Sequence, residues 1–300
     1  MLEQTHGKRK SLRVGTRGSL LARTQTAWVV SRLQAAWPEL DIQTILIQST
    51  GDRIQDKPLY EFGGKGLFTK ELELGLLDEE IDVAVHSFKD VPVTMPLVEQ
   101  AGLIFPAVPP REDVRDVLIC SKARGIADLP RQAKVGTGSL RRRCQLLHLR
   151  HDLHIEMIRG NIDTRIRKLR EGQYDAIVLA MAGVKRAGLW DEAIMTPIPA
   201  DAMVPSAGQG ALALQCRKGD PATRAILASL DHPISRECVE VERELVRRLE
   251  GDCHSPIGAW ARLVDGKILL DGMLGCRDGN PPVVRASGAS AEEVYRALTR

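Results

Sequence analysis

Val14-Gly15-Thr16-Arg17-Gly18-Ser19-Leu20 returns about 120 residues later as Val135-Gly136-Thr137-Gly138-Ser139-Leu140. In both copies an apolar stretch runs into Gly-Thr and then a Ser placed to cap a helix. A second echo keeps the same order: Ile81-Asp82-Val83-Ala84-Val85 is matched by Tyr174-Asp175-Ala176-Ile177-Val178. One strand–turn–helix unit is generic; two in the same order predict a pair of similar α/β domains with mainly parallel sheets. Ligands of such folds sit at the carboxyl ends of the strands. Arg17, Ser19, Asp90, Ser139, Arg141 and Arg159 all fall there, and two such edges facing each other form a cleft.

Working outward, the pattern predicts strands at Leu12–Thr16, Asp41–Gln48 and Ile81–Val85. Helices are expected from Ser19 to about Trp37, ahead of Pro38, and from Leu67 to about Asp78. The loop Phe62-Gly63-Gly64-Lys65-Gly66 before the second helix lacks the G-x-x-x-x-G-K-[ST] spacing of a P-loop. Val108–Arg115 and the proline-bearing Thr196–Ser206 read as hinges. Asp231–Leu249 is expected to be helical. Asp265-Gly266-Lys267 and Arg277-Asp278-Gly279-Asn280 read as hairpin turns of a small third, α+β domain.

Charge is concentrated in one stretch. Residues 136–170 hold eight arginines and Lys168 against Asp152, Glu156 and Asp163, a net +6 in a chain whose total is +3. Arginine's planar fork holds carboxylate or phosphate in a two-pronged geometry that ammonium cannot match. The segment opens at Gly136-Thr137-Gly138-Ser139 and contains Arg159-Gly160-Asn161, both read as helix N-termini, which already favour anions. An anionic ligand is therefore expected here. A solvated helix face is the competing reading for any single arginine.

Composition narrows the class. No apolar run approaches the ~20 residues needed to span a bilayer, and MLEQTHGKRKS has neither the apolar core nor the cleavage site of a signal peptide. The six cysteines show no zinc-type spacing, and with no secretion signal reduced thiols in the cytoplasm are expected. Aromatic content of 4% leaves few stacking platforms for single-stranded nucleic acid. No membrane or nucleic-acid partner is expected, no metal site is read, and nothing in the sequence calls for more than a monomer.

Three residues stand out as chemistry. Cys253 lies in Leu249-Glu250-Gly251-Asp252-Cys253-His254-Ser255-Pro256, where Gly251 is expected to end a helix and Pro256 to prevent its resumption, leaving the thiol on an irregular turn. Nothing beside it would lower its pKa; Asp252 would raise it. Asp90 sits at the end of a buried strand. It reads either as a turn-forming Asp or as a carboxylate able to stabilise a cation or move a proton. His86 reads as a hydrogen-bonded structural residue.

Taken together, Gly63-Gly64-Lys65-Gly66-Leu67-Phe68, Ala84-Val85-His86-Ser87-Phe88-Lys89-Asp90-Val91-Pro92, Gly136-Thr137-Gly138-Ser139-Leu140-Arg141-Arg142, Arg159-Gly160-Asn161, Gly208-Gln209-Gly210 and Leu249-Glu250-Gly251-Asp252-Cys253 resemble the porphobilinogen deaminase (hydroxymethylbilane synthase) family, in order from about Arg13 to the C-terminus. Asp252 stands where many members have Gly, and Gly138 where Ser or Thr is common. The resemblance implies two periplasmic-binding-protein-like (type II) α/β domains around a cleft plus a small C-terminal α+β domain. The expected division is 1–108 with 204–228, 109–203, and 229–300. It implies a transferase of haem and porphyrin biosynthesis that condenses four porphobilinogen molecules head to tail, releasing ammonia. Its primer is a dipyrromethane cofactor, here attached by thioether to Cys253. Asp90 matches the catalytic aspartate, which would stabilise a cationic azafulvene.

Because each pyrrole bears an acetate and a propionate, the resemblance also explains the arginines. Arg141, Arg142 and Arg165, with Lys65, Lys89, Ser19, Thr137, Ser139 and Gln209, match cofactor-binding positions; Arg17, Arg159 and Arg186 match substrate-binding ones. Arg143, Arg150, Arg167 and Arg170 match none, and for them the solvated-face reading stands. Two rivals remain on the residues alone. One is a non-enzymatic anion-binding protein, whose paired α/β halves resemble periplasmic-type binding domains; the missing secretion signal and the Cys of the third domain count against it. The other is a nucleic-acid binder using the Arg-rich segment, against which the low aromatic content and the −3 remainder count.

Overall fold

The computed structural model describes residues 9–48, 69–94, 102–252 and 255–300. In the repeated motif, β1 (Ser11–Thr16) leads into α1 (Leu20–Ala36) and β6 (Lys134–Gly136) into α3 (Leu140–Leu149). Ser19 and Ser139 cap the two helices, each accepting from the backbone N–H three residues on. The glycine of each Gly-Thr lies in close packing, where a larger residue would have to displace a neighbouring side chain. A Cβ at Gly15 would lie 2.4 Å from Ile81 Cδ1, and one at Gly136 2.9 Å from Tyr174 Cδ1.

The remaining elements of the first part are β2 (Asp41–Leu46), α2 (Lys70–Leu77), β3 (Val83–Ser87) and β4 (Leu103–Ala107). They are followed by β5 (Asp116–Ile119) before the second motif. After it come β7 (His154–Glu156), α4 (Ile162–Arg170), β8 (Ala176–Ala180), α5 (Met181–Arg186) and β9 (Met195–Ile198). Then follow β10 (Leu212–Arg217), α6 (Pro221–Ala228) and α7 (Pro233–Arg248). The chain closes with β11 (Ile257–Val264), β12 (Lys267–Gly275), β13 (Val283–Gly288) and α8 (Ala291–Leu298).

The first sheet has the order β2-β1-β3-β10-β4 and the second β7-β6-β8-β5-β9. In each, the first three strands are parallel and the fourth in the order is antiparallel to both neighbours. Four of five strands thus share one direction in each sheet, and the topologies coincide. The antiparallel member is in both cases the strand that arrives from elsewhere in the chain. β10 returns to the first sheet after the second is complete, and β5 enters the second directly after β4.

By internal contacts the chain divides into Met1–Pro110 with Leu212–Arg236, and Arg111–Ala211 with Glu237–Arg300. In the first unit Leu12, Val14, Val29, Leu33, Val83 and Leu214 form the core. In the second, one face of the sheet packs Leu118, Val135, Leu146 and Val178, and the other Ile119, Ile158, Ile177 and Val184. The antiparallel sheet β11-β12-β13 belongs to this unit and packs on α7 and α8 through Leu245, Leu270, Val294 and Leu298. Its first hairpin turns on Asp265 (φ 50°) and Gly266 (φ 73°), as expected for a two-residue primed turn. It also touches α3: a Cβ at Gly275 would lie 2.6 Å from Cys144 Sγ.

Two local expectations are corrected. Thr196–Ile198 is not hinge but part of β9, an edge strand, where Pro197 costs no ladder hydrogen bond to an outer neighbour. The left-handed residue after α7 is Glu250 (φ 52°), not Gly251. The N–H of Gly251 bonds the Val246 carbonyl at 2.9 Å and that of Glu250 the Arg247 carbonyl at 3.0 Å, the Schellman pattern. At Gly251 a Cβ would lie 2.3 Å from Ile257 Cδ1, so a larger residue would have to displace that side chain.

Candidate active site

In the first unit the site is built at the end of β3. The strand closes in a 3₁₀ turn, Phe88–Asp90, sealed by the Val91 N–H on the Phe88 carbonyl. Phe88 is buried against Phe105, with ring centroids 5.6 Å apart. That anchoring leaves Lys89 and Asp90 half-exposed at the strand end. Among the described residues, no hydrogen bond or ion pair reaches the Asp90 carboxylate. Ser87 is tied to Gln25 of α1. Arg17 and Ser19 occupy the turn after β1, as expected, with Ser19 Oγ engaged in the helix cap at 3.3 Å.

His86 lies inside β3 and is buried; its Nε2 pairs with Gln215 Oε1 at 2.9 Å, and Gln215 donates onward to Glu73 at 3.2 Å. Burial, with Arg17 nearby, lowers the imidazole to about 4, partly opposed by the Gln215 bond, so it is neutral at pH 7. Burial likewise pushes the Glu73 carboxyl up.

In the second unit the polar site converges on a residue that sequence reasoning passed over. Asp116, first in β5, is fully buried. Arg141 Nη1 donates to its Oδ2 at 2.8 Å. Arg142 donates to Oδ1 through Nε at 3.2 Å and Nη2 at 3.0 Å, and Gln209 Nε2 joins Oδ1 at 2.9 Å. Burial alone would push this carboxyl up; the two guanidiniums reverse that and hold it well below the usual range. Two cations on one anion leave the cluster with net positive charge. Arg141 Nε and Gln209 Oε1 are buried with no partner among the described residues.

Gln209 sits on a loop held from the other side by Glu242 of α7, which accepts from the Gly208 N–H at 2.7 Å and from Arg111. Arg186 donates to the Gly210 carbonyl at 2.8 Å, and burial lowers its guanidinium to about 10. Arg141, Arg142, Gln209 and Arg186 are thereby brought onto one connected framework. Thr137 is buried and accepts from the Ser139 N–H at 3.3 Å. Arg159 and Arg165 stand at the start of α4, where Arg165 Nε donates to the Gly160 carbonyl at 2.7 Å. Only glycine fits there: Gly160 has φ +109°, and a Cβ would lie 2.7 Å from Thr164 Cγ2. Cys253 and Lys65 lie outside the described residues.

The solvated-face reading fails for two of the four remaining arginines. Arg150 binds the carbonyls of Ile126, Ala127 and Leu129 and pairs with Asp152, cradling the preceding loop. Arg143 links the Ile155 carbonyl at 3.1 Å to Asn280 Oδ1 at 3.0 Å. Both bind backbone carbonyls, invisible to a count of charges, alongside a side-chain partner. Arg167 and Arg170 are exposed as expected.

The family model described as porphobilinogen deaminase, dipyromethane cofactor binding domain, matches residues 12–225, and that of the porphobilinogen deaminase C-terminal domain matches 236–294. The chain is 47% identical over 290 residues to the porphobilinogen deaminase of Syntrophobacter fumaroxidans, covering 96% of this chain and 92% of that protein. It is 47% identical over 268 residues to that of Brevibacillus brevis (89% and 85% covered). It is 44% identical over 298 residues to that of Syntrophotalea carbinolica (97% and 93% covered).

Proposed function

We propose residue roles from one premise: the chain belongs to the porphobilinogen deaminase family. It is a transferase, a hydroxymethylbilane synthase, that joins four porphobilinogen molecules head to tail with release of ammonia. The observation that carries our assignment is the half-exposed Asp90 carboxylate, fixed on a strand-end turn with no partner among the described residues. Such a group is available to the substrate. Asp90 accepts from pyrrole N–H groups, and its negative charge opposes the positive charge developing as the aminomethyl nitrogen departs.

The donor set around Asp116 fits the dipyrromethane cofactor. A net cationic cluster with one unpaired donor and one unpaired acceptor suits a ligand offering carboxylates and N–H groups together. Bound by thioether to Cys253, that group supplies the primer to which substrate is added. Arg141, Arg142, Arg165, Lys89, Lys65, Ser19, Thr137, Ser139 and Gln209 hold its side chains; Arg17, Arg159 and Arg186 hold those of the substrate. We read the enzyme as a cytoplasmic monomer, and its sparse aromatics and mild charge support the absence of a nucleic-acid partner. Among the described residues no helix is long and apolar enough to cross a membrane.

Intact mass tests the reading. Purified protein should exceed its sequence mass by one dipyrromethane and give colour with an acidic aldehyde reagent; Cys253→Ser should show neither. An active protein at its bare sequence mass would sink the assignment of Cys253.

A further inference from the structure

Arg141 and Arg142 are consecutive on α3, so their side chains leave the helix about 100° apart. Nothing in helix geometry brings two such guanidiniums to one point. Asp116 does: Oδ2 takes Arg141 at 2.8 Å, and Oδ1 takes Arg142 at 3.0 Å and the Gln209 amide at 2.9 Å. The carboxylate is itself held in place by backbone, because β5 pairs on both sides and Asp116 stands opposite Ala180 of β8 and Ile198 of β9. Gln209 is locked in one sense. Its Nε2 faces two acceptors, Asp116 Oδ1 and the Val114 carbonyl at 2.7 Å, so Oε1 must be the end left over.

A purely structural buried ion cluster is expected to balance its charges, because an uncompensated buried charge is strongly destabilising. Among the described residues this one does not balance: two guanidiniums share a single carboxylate, and Arg141 Nε and Gln209 Oε1 lack partners. The surplus cation and the two unpaired atoms belong to residues assigned above to the cofactor. We propose that Asp116 is a positioning residue for the cofactor site: it fixes Arg141, Arg142 and Gln209 so that one net positive charge, one donor and one acceptor remain for a carboxylate-bearing ligand. This rests on the functional reading above.

The test is the fraction of folded, gel-filtered protein carrying the dipyrromethane mass, read beside its thermal unfolding. Asp116→Asn should fold yet lower that fraction about fivefold or more, the loss expected when charge-assisted bonds are mis-set. Asp116→Glu, which keeps the charge, should recover part of it. A purely structural role would move the unfolding temperature but not the loading of the folded fraction. Folded Asp116→Asn loaded like wild type overturns the proposal. Should Asp116→Asn not fold, the charge-matched pair decides. Asp116→Asn/Arg142→Gln should load less than Arg142→Gln, because Arg141 has also lost its anchor; equal loading overturns the proposal. Wild type without the added mass sinks the functional reading, and the proposal with it.

Discussion

Glu242 meets Arg111 with both carboxylate oxygens, 2.6 Å from Nη1 and 3.0 Å from Nη2, in a site where Glu242 is fully buried. The same oxygens accept the backbone N–H of Ala261 at 2.8 Å and of Gly208 at 2.7 Å. One carboxylate on α7 thus ties together β11, the Gln209 loop and the segment before β5. Arg111→Ala leaves that carboxylate buried without its cation and should cost about 3–5 kcal/mol, the range for breaking a buried pair. Urea unfolding reads the loss directly. A cost below about 1 kcal/mol, typical of an exposed pair, would mean that Glu242 does not depend on Arg111.

Asp90→Asn keeps the shape of the strand-end turn and removes the charge. The dipyrromethane mass should be retained while turnover falls by about 10²–10³, as when one electrostatic stabiliser is lost. Turnover within threefold of wild type, about 0.7 kcal/mol, would take Asp90 out of its role.

His86 carries a pH dependence. Its folded-state value, about 4, lies below the ordinary 6.5, so between these values the unfolded chain binds more protons than the folded one. Stability from this group is complete above pH 6.5 and falls as pH drops toward 4, by up to about 3 kcal/mol. Urea midpoints at pH 7 and pH 5 should therefore differ more in wild type than in His86→Asn. Equal differences would show that His86 is not the titrating group.

Gly210 has φ +85°, and a Cβ on it would lie 2.4 Å from the Glu112 carbonyl oxygen, a backbone atom that cannot swing aside. Its own carbonyl accepts from Glu112 and from Arg186. Gly210→Ala should destabilise by about 1–3 kcal/mol from strain. It should also displace Gln209 and Arg186, raising KM for porphobilinogen. An unchanged KM would mean that the Arg186 bond is immaterial to substrate.

The Gly-Thr-Ser echo was legible because its caps are local, with Ser19 and Ser139 bonding N–H groups three residues on; the close approaches at Gly15 and Gly136 come from Ile81 and Tyr174, far along the chain, and were not. The arginine cluster was legible as charge, but its partner was not. Asp116 sits among Arg111, Glu112, Asp113 and Arg115, where an acid among charges reads as linker; only strand pairing reveals that it is interior. Arg150 differs from its expected solvated face for a related reason, since besides Asp152 its partners are carbonyls that every residue carries. The direction of β5 and β10 was also unreadable. An apolar run such as Asp116–Ile119 records burial on both faces, not which way its neighbours point.

That crossing of strands sets an order of manufacture. Every strand of the second sheet lies between residues 116 and 198, whereas the first sheet needs β10, residues 212–217, between β3 and β4. As the ribosome delivers the chain from its N-terminus, the stretch synthesised first therefore cannot close its sheet until the stretch synthesised after it has emerged whole. The older half of the nascent polypeptide waits, with β4 lacking its neighbour, for a strand made roughly a hundred residues later.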